Sequence, residues 1–196
     1  SDMAVEVSAT AEDVSDVDLS FSVETVAETR DELEKVFLEK ELKELEQIQL
    51  ISFFLEEQEY TIPVAAVQEV IRSLPATQMP EVPDFYHGIV NIRGRVTPVV
   101  SLGRLLGLRK TAVNDAERQD RFLIVCRRHG LQVGLLVDNV ATMYRVSQND
   151  VEWNIESRMG GNIQFVSALM KSGDDLIGII SIDRILEKMV SNKEEE

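Results

Sequence analysis

The strongest constraint on the fold is an internal repeat of strand-rich segments. After residue 47 the chain consists of short apolar runs separated by tight polar turns, a pattern typical of antiparallel β-hairpins. Four hairpins are predicted; the first matches the third at an offset of 73 residues, and the second matches the fourth at an offset of 80. The clearest aligned segments are VVSLGRLL at 99–106 and IISIDRIL at 179–186. The chain therefore contains two similar half-units, at about 48–108 and 121–188.

The repeat also indicates how the strands close. Each half-unit ends in a helical turn, LGRLL or IDRIL, whose apolar residues three and four apart could cover the end of a small barrel. We therefore predict a mainly β fold of about ten short strands in two small barrels, with short helical turns and a groove between the barrels.

The N-terminal segment differs sharply from the rest in charge. Residues 1–47 hold 15 acidic and 4 basic residues, a net charge of −11, whereas 48–190 hold 17 acids and 15 bases, a net charge of −2. Residues 1–24 show no sustained periodicity and are expected to be disordered. Capping-box spacings and acid–base pairs four residues apart predict an amphipathic helix over 25–47, which packs on its own domain or binds a partner. Residues 191–196 form an acidic tail.

Composition excludes several classes of function. The nearly neutral body lacks the basic field that nucleic-acid binding requires. Cys126 is the only cysteine, which excludes a disulfide framework and a multi-cysteine metal site and predicts a small core residue. No apolar run approaches a membrane span, and the first residues lack the features of a signal peptide. We expect a cytoplasmic protein without direct membrane insertion.

Candidate catalytic groups are sparse. His87 lies at a strand start and His129 in a hairpin turn, neither with metal-ligand spacing, and both are expected to be solvated. The sequence contains no nucleophile elbow, P-loop or dinucleotide fingerprint. Trp153 is expected to be a packing anchor. We therefore predict no catalytic residue, no metal site and no cofactor, and a protein that acts by binding.

The second hairpin, HGIVNIRGRVTPVVSLGRLLGL at 87–108, carries arginines on both sides of its turn glycine. Strict alternation predicts one core-facing set of residues, namely Val90, Ile92, Val96, Pro98 and Val100. The opposite face would carry Asn91, Arg93, Arg95 and Thr97, with Ile89 and Val99 further back. An apolar floor with a polar rim is typical of a protein contact site, although arginines can also simply keep a hairpin edge soluble.

Three segments resemble the CheW family of bacterial chemotaxis coupling proteins. They are YTIPVAAVQEVIR at 60–72, GIVNIRGRVTPVVSLGRLLGL at 88–108 and LQVGLLVDNVATMYRV at 131–146, and the resemblance extends over about 48–190. It implies two five-stranded SH3-like barrels and no enzymatic activity. It also implies a scaffold that links the cytoplasmic tip of methyl-accepting chemoreceptors to the regulatory domain of the histidine kinase CheA. In that family the receptor lies against the groove between the barrels and the kinase meets outer strand ends.

The resemblance further implies roles for individual residues. Positions linked to receptor or kinase coupling correspond to Val67, Glu69, Gly88, Asn91, Arg93 and Gly94. The two glycines would act through backbone shape. Ser101 departs from the family pattern, which often has an aspartate there, and the acidic N-terminal segment is longer than a minimal coupling protein needs.

Three other interpretations remain open at this point. The double barrel could bind a small ligand, with or without weak enzymatic activity, in an enclosed pocket between its halves. It could be the scaffold of a non-flagellar chemosensory system. The acidic segment, residues 1–47, could also cover the groove until a receptor displaces it.

Overall fold

The computed structural model describes residues 37–108, 120–153, 155 and 163–191. Within them lie eleven strands: β1 (Gln47–Leu55), β2 (Gln58–Pro63), β3 (Val67–Arg72), β4 (Tyr86–Ile92), β5 (Arg95–Ser101), β6 (Phe122–Arg128), β7 (Leu131–Val137), β8 (Asn139–Ser147), β9 (Val151–Glu152), β10 (Val166–Ser172) and β11 (Asp175–Ile180). Three α-helices accompany them, α1 (Leu38–Leu42), α2 (Leu102–Leu105) and α3 (Ile182–Ser191). Single 3-10 turns at Val64–Ala66 and Gln148–Asp150 follow β2 and β8.

The strands form two sheets that curve into barrel-like halves. Sheet A has the order β8-β1-β2-β11-β10-β9, and sheet B has the order β3-β6-β7-β5-β4. The mainly β fold with two barrel-like halves, predicted from the repeat and from the family resemblance, is therefore confirmed.

The two sheets exchange strands between the half-units. Sheet A combines the hairpin β1–β2 of the first half-unit with β8, β10 and β11 of the second, and sheet B combines β6–β7 of the second with β3, β4 and β5 of the first. The half-units 48–108 and 121–188, predicted as subdomains, therefore do not each correspond to one sheet. The repeat identifies equivalent segments, but whether a hairpin pairs within its own copy or with the other copy depends on tertiary contacts.

The exchange preserves the internal symmetry down to strand register. β2 and β11 run parallel with Thr61 opposite Ile179, and β7 and β5 run parallel with Gly134 opposite Val99. Thr61 and Gly134 are 73 residues apart, and Val99 and Ile179 are 80 apart, so the two junctions are equivalent pairs. The structure thus supports the duplication inferred from the sequence.

The core is continuous across both sheets. One large apolar cluster takes side chains from sheet A and from one face of sheet B, with Phe53, Ile62 and Leu135 fully buried. Cys126 lies in this cluster, as predicted, and burial raises the pKa of its thiol. A smaller cluster, including Val90, fills the other side of sheet B.

The predicted N-terminal helix extends further along the chain than the observed helix. In the structure α1 ends at Leu42 and strand β1 already begins at Gln47, because Ile48 and Leu50 alternate with exposed residues and are buried in sheet A. Leu38 and Leu42 are each only 4% exposed, so this part of the segment packs on its own domain. The predicted disordered segment 1–24 and the first part of the predicted helix, 25–36, lie outside the described residues.

Candidate functional site

The candidate site lies where sheet B closes on itself. Glu69 is on β3 and Arg93 is in the turn between β4 and β5, and β3 and β4 are the two outermost strands of that sheet. Arg93 Nε donates to Glu69 Oε1 at 3.0 Å and Arg93 Nη2 donates to Oε2 at 2.9 Å. This two-point ion pair fixes the relative position of the guanidinium and carboxylate planes. It therefore joins the two edges of the sheet.

The turn that presents Arg93 requires two successive residues with positive φ. Arg93 and Gly94 have φ values of 53° and 76°, and they form a two-residue loop between paired Ile92 and Arg95. Two successive positive φ values are typical of the type I′ turn, which matches the twist of paired strands. The side chain of Arg93 remains 77% exposed, whereas that of Glu69 is 19% exposed. The hydrogen bond and negative charge of Glu69 raise the pKa of Arg93, so the exposed cation is permanent.

Gly88 permits a close backbone approach at the other end of β4. Its φ is +152°, and a Cβ there would lie 2.6 Å from the carbonyl oxygen of Thr77 and 2.9 Å from the Cβ of Ala76. Thr77 exchanges two backbone hydrogen bonds of 2.9 Å with Ile89, which attach the segment after β3 to β4. Gly88 therefore acts on backbone shape, by letting the chain close sheet B.

The remaining predicted residues lie on the same two strands. Val67 begins β3, pairs with Cys126 of β6 and is half-buried against the large cluster. Asn91 is half-buried opposite Val96, and its Oδ1 is a buried atom without a hydrogen-bond partner. The structure thus brings Glu69, Arg93 and Gly94 together, and it places Val67, Gly88 and Asn91 elsewhere on the strands that carry them.

The predicted apolar floor beside the arginines is wrong. A two-residue loop pairs Ile92 with Arg95, so even-numbered residues of β4 share a face with odd-numbered residues of β5. Thr97 and Val99 consequently lie on the interior face with Ile92, and both are fully buried. Ile89, on the other face, is only 6% exposed. The prediction assumes that even-numbered residues share a face on both strands. The two-residue loop instead places even-numbered residues of β4 on the same face as odd-numbered residues of β5.

Exposed apolar side chains lie on and after β3, with Val70 on the face of the strand opposite to Glu69. Val70, the next residue after Glu69, is 37% exposed, and Leu74 just beyond the strand is 40% exposed. Sequence reasoning missed both. The sequence VQEVIR shows no apolar–polar alternation, so the outward position of Val70 is visible only in the structure.

Resolved pKa shifts among the described residues fall on five side chains. Each resolved pKa shift there is upward, on three tyrosines, Cys126 and Arg93, and burial alone raises the pKa of Tyr86 to about 12. The described part of the chain holds no cluster of three His, Cys, Asp or Glu side chains that could bind a metal ion.

The two histidines are less solvated than predicted. His87 Nδ1 lies 3.3 Å from Arg104 Nη2, and His129, whose side chain is 15% exposed, lies 3.4 Å from a carboxylate oxygen of Asp183. Both contacts come from segments distant in sequence, which the local strand-end and turn positions could not reveal.

Comparison with known proteins assigns the family. The model of the CheW-like domain matches residues 49–190, well over half of the chain. The chain belongs to the CheW-like family. All six candidate site residues lie inside the CheW-like region, whereas α1 precedes it.

Relatives and a solved structure agree with this assignment. The chain is 30% identical over 144 residues to chemotaxis protein CheW of Helicobacter pylori, covering 73% of this chain and 84% of the relative. It is 30% identical over 146 residues to chemotaxis protein CheW of Thermotoga maritima, covering 74% and 91%. The crystal structure of the scaffolding protein TtCheW from Thermoanaerobacter tengcongensis matches with a TM-score of 0.61 and 29% identity, over 69% of this chain and 84% of that one.

Ser101, which departs from the CheW pattern, makes the same backbone contact as its counterpart in the other half-unit. Ser101 is buried at the start of α2, and its backbone N–H donates to Phe85 at 2.8 Å. Ser181, its equivalent in the other half-unit, makes the same 2.8 Å bond to Phe165. The serine therefore fits the internal symmetry of this CheW-like chain.

Among the helices of the described residues, none offers the length of apolar sequence that a bilayer span requires.

Proposed function

We propose that this protein is a non-catalytic chemotaxis scaffold that couples methyl-accepting chemoreceptors to the histidine kinase CheA in the cytoplasm. The observation that carries the proposal is that the family match runs from residue 49 to 190 and so includes strands of both sheets. Relatives named chemotaxis protein CheW, together with a structural neighbour described as a scaffolding protein, support a coupling function.

The ion pair of Glu69 and Arg93 is proposed as part of the receptor-contacting surface. Its arginine is largely exposed and permanently charged. Arginine is enriched in protein contact sites relative to the rest of the surface. We further propose that the receptor's helical tip lies along the groove between the barrels and that CheA docks on outer strand ends.

Coupling of this kind requires no chemistry by the scaffold. It holds two partners in a fixed relation, and each contact can be modest because repeated contacts in an array add avidity.

Co-sedimentation with receptor-tip fragments and CheA, together and separately, tests the proposal. We expect the wild-type chain to sediment with either partner and more completely with both. If it sediments with neither, the proposed function is wrong.

Charge reversal tests the site itself. Arg93→Glu should reduce capture by receptor tips while leaving the thermal midpoint nearly unchanged, because the side chain is largely solvent-exposed. Lys171→Glu is the matched control, since Lys171 is an exposed cation at the equivalent hairpin of sheet A. Wild-type binding by Arg93→Glu would refute the site while leaving the scaffold function intact.

A further inference from the structure

Asp183 is a fully buried carboxylate that the candidate site does not use. It lies in the first turn of α3, the helix that follows sheet A, and its side chain has no solvent exposure. Its Oδ2 accepts a 2.7 Å hydrogen bond from the backbone N–H of Leu38. Residues 183 and 38 are 145 positions apart, so this bond fixes the N-terminal helix α1 to the far end of the chain.

The other oxygen of Asp183 faces sheet B. Arg128 Nε donates to Oδ1 at 3.5 Å, and His129 Nε2 lies 3.4 Å from the same oxygen without hydrogen-bond geometry. Both residues belong to the end of β6 and its turn into β7. A single carboxylate therefore connects α3, the helix that carries it, to α1 and to the β6–β7 turn.

Residues 37–46, which Asp183 contacts at Leu38, pack on the large apolar cluster, and we call this segment the strap. Leu38 and Leu42 are buried in the large cluster, and the side-chain amide of Gln148 donates to the carbonyl oxygen of Leu42 at 2.6 Å. The backbone N–H of Gln148 also donates to the carbonyl of Glu46 at 3.1 Å. The strap lies wholly outside the region that matches the family, which begins at residue 49.

The contact is present in only one of the two half-units. The repeat places Gly103 at the position equivalent to Asp183, where no side chain can make such a contact. The carboxylate is therefore not explained by the duplicated barrel itself.

The β6–β7 turn leads directly to the candidate site. β6 pairs with β3 along its length, with Cys126 opposite Val67 and Val125 opposite Glu69. Arg128 is two residues beyond Cys126 on the same strand. A displacement of the turn would consequently act on the strand that carries Glu69.

We propose that the Asp183 carboxylate couples the strap to sheet B through its contacts with Leu38 and Arg128, which together we call the clasp. A buried carboxylate that loses its cation is costly, so breaking the contact with Arg128 favours states in which Asp183 reaches water. The Leu38 N–H in the strap bonds to the other oxygen of Asp183, so exposure of the carboxylate to water breaks its contact with the strap as well. A partner that draws the strap away would in turn loosen the β6–β7 turn and β3. This last consequence, for partner binding, rests on the proposed function, whereas the clasp itself does not.

Amide hydrogen exchange in the full chain tests the clasp without any partner. Arg128→Gln should accelerate exchange of the Leu38 amide by about fivefold or more, although the two residues lie in different elements. Arg127→Gln is the matched control, because it removes the same charge from the adjacent, exposed residue. Asp183→Asn should accelerate exchange of the Leu38 amide and of the amides around the β6–β7 turn, whereas Glu187→Gln on the same helix should change neither.

Three outcomes would overturn the proposal. One is unchanged Leu38 exchange in Arg128→Gln, and a second is acceleration of Leu38 alone in Asp183→Asn. The third is equal acceleration of the β10–β11 hairpin, which would indicate general destabilisation. None of these depends on receptor or kinase binding, so failure here is distinguishable from failure of the proposed function.

Discussion

Arg93 and Glu69 join the two outermost strands of sheet B through a two-point ion pair, with the arginine exposed and the glutamate largely covered. The pair has a dual character, since it completes a barrel seam and also presents a cation to solvent.

The geometry of the pair should matter more than its charge. Arg93→Lys keeps the positive charge but loses the planar fork that contacts both carboxylate oxygens. We expect it to weaken receptor-tip capture nearly as much as Arg93→Ala, with little change in the urea midpoint of either variant. Titration calorimetry with a receptor-tip fragment, alongside urea unfolding, makes the measurement. Full binding by the lysine variant would show that charge alone suffices.

Replacement of Gly88 should damage the fold itself. In Gly88→Ala the new Cβ would meet the Thr77 carbonyl at 2.6 Å in a backbone conformation that L-residues rarely adopt. We expect a loss of about 2–4 kcal/mol in the free energy of unfolding, measured by urea denaturation. Gly94→Ala is the matched control, because its φ is also positive but no atom lies within 4 Å of the new Cβ. We expect it to cost about 1–2 kcal/mol, and an equal loss in the two variants would contradict the role assigned to the Thr77 contact.

Alkaline pH should destabilise the protein in part through Tyr86. Burial raises its pKa from the ordinary value of 10.0 to about 12 in the folded state. Its contribution is fully present below pH 10 and is lost as the pH rises from there through about 12, because the unfolded chain releases the proton first. Tyr86→Phe should therefore lose less stability than wild type between those two pH values, as measured by urea unfolding at each pH. Parallel losses in the two proteins would show that Tyr86 titrates normally.

The strap should contribute to stability although it precedes the family-matching region. Leu42 is only 4% exposed and lies in the large cluster, so Leu42→Ala should cost about 2–4 kcal/mol in the free energy of unfolding. Leu45→Ala is the control, since Leu45 is 49% exposed and should change stability by less than about 1 kcal/mol. Equal effects of the two substitutions would mean that α1 is not part of the cooperative unit.

Sequence patterns were most reliable where they depend on local chemistry. The hairpins, the turn at Gly94 and the buried Cys126 follow from apolar runs and turn residues, which act within a few residues. The duplication was likewise visible because equivalent positions keep similar residues. By contrast, the assignment of faces around Val99 failed at a two-residue loop, where one unit of register changes which residues are interior.

By itself, the sequence determined a duplicated, mainly β chain with an acidic N-terminal segment and an exposed Arg93. Only the tertiary structure decided that the half-units exchange hairpins, that Glu69 is the partner of Arg93, and that Asp183 contacts both Leu38 and Arg128. The physical reason is the separation along the sequence over which each kind of interaction acts. Hydrophobic period and turn chemistry act between neighbouring residues, whereas strand partners and buried charge contacts are fixed by the packing of segments that lie 24 to 145 residues apart.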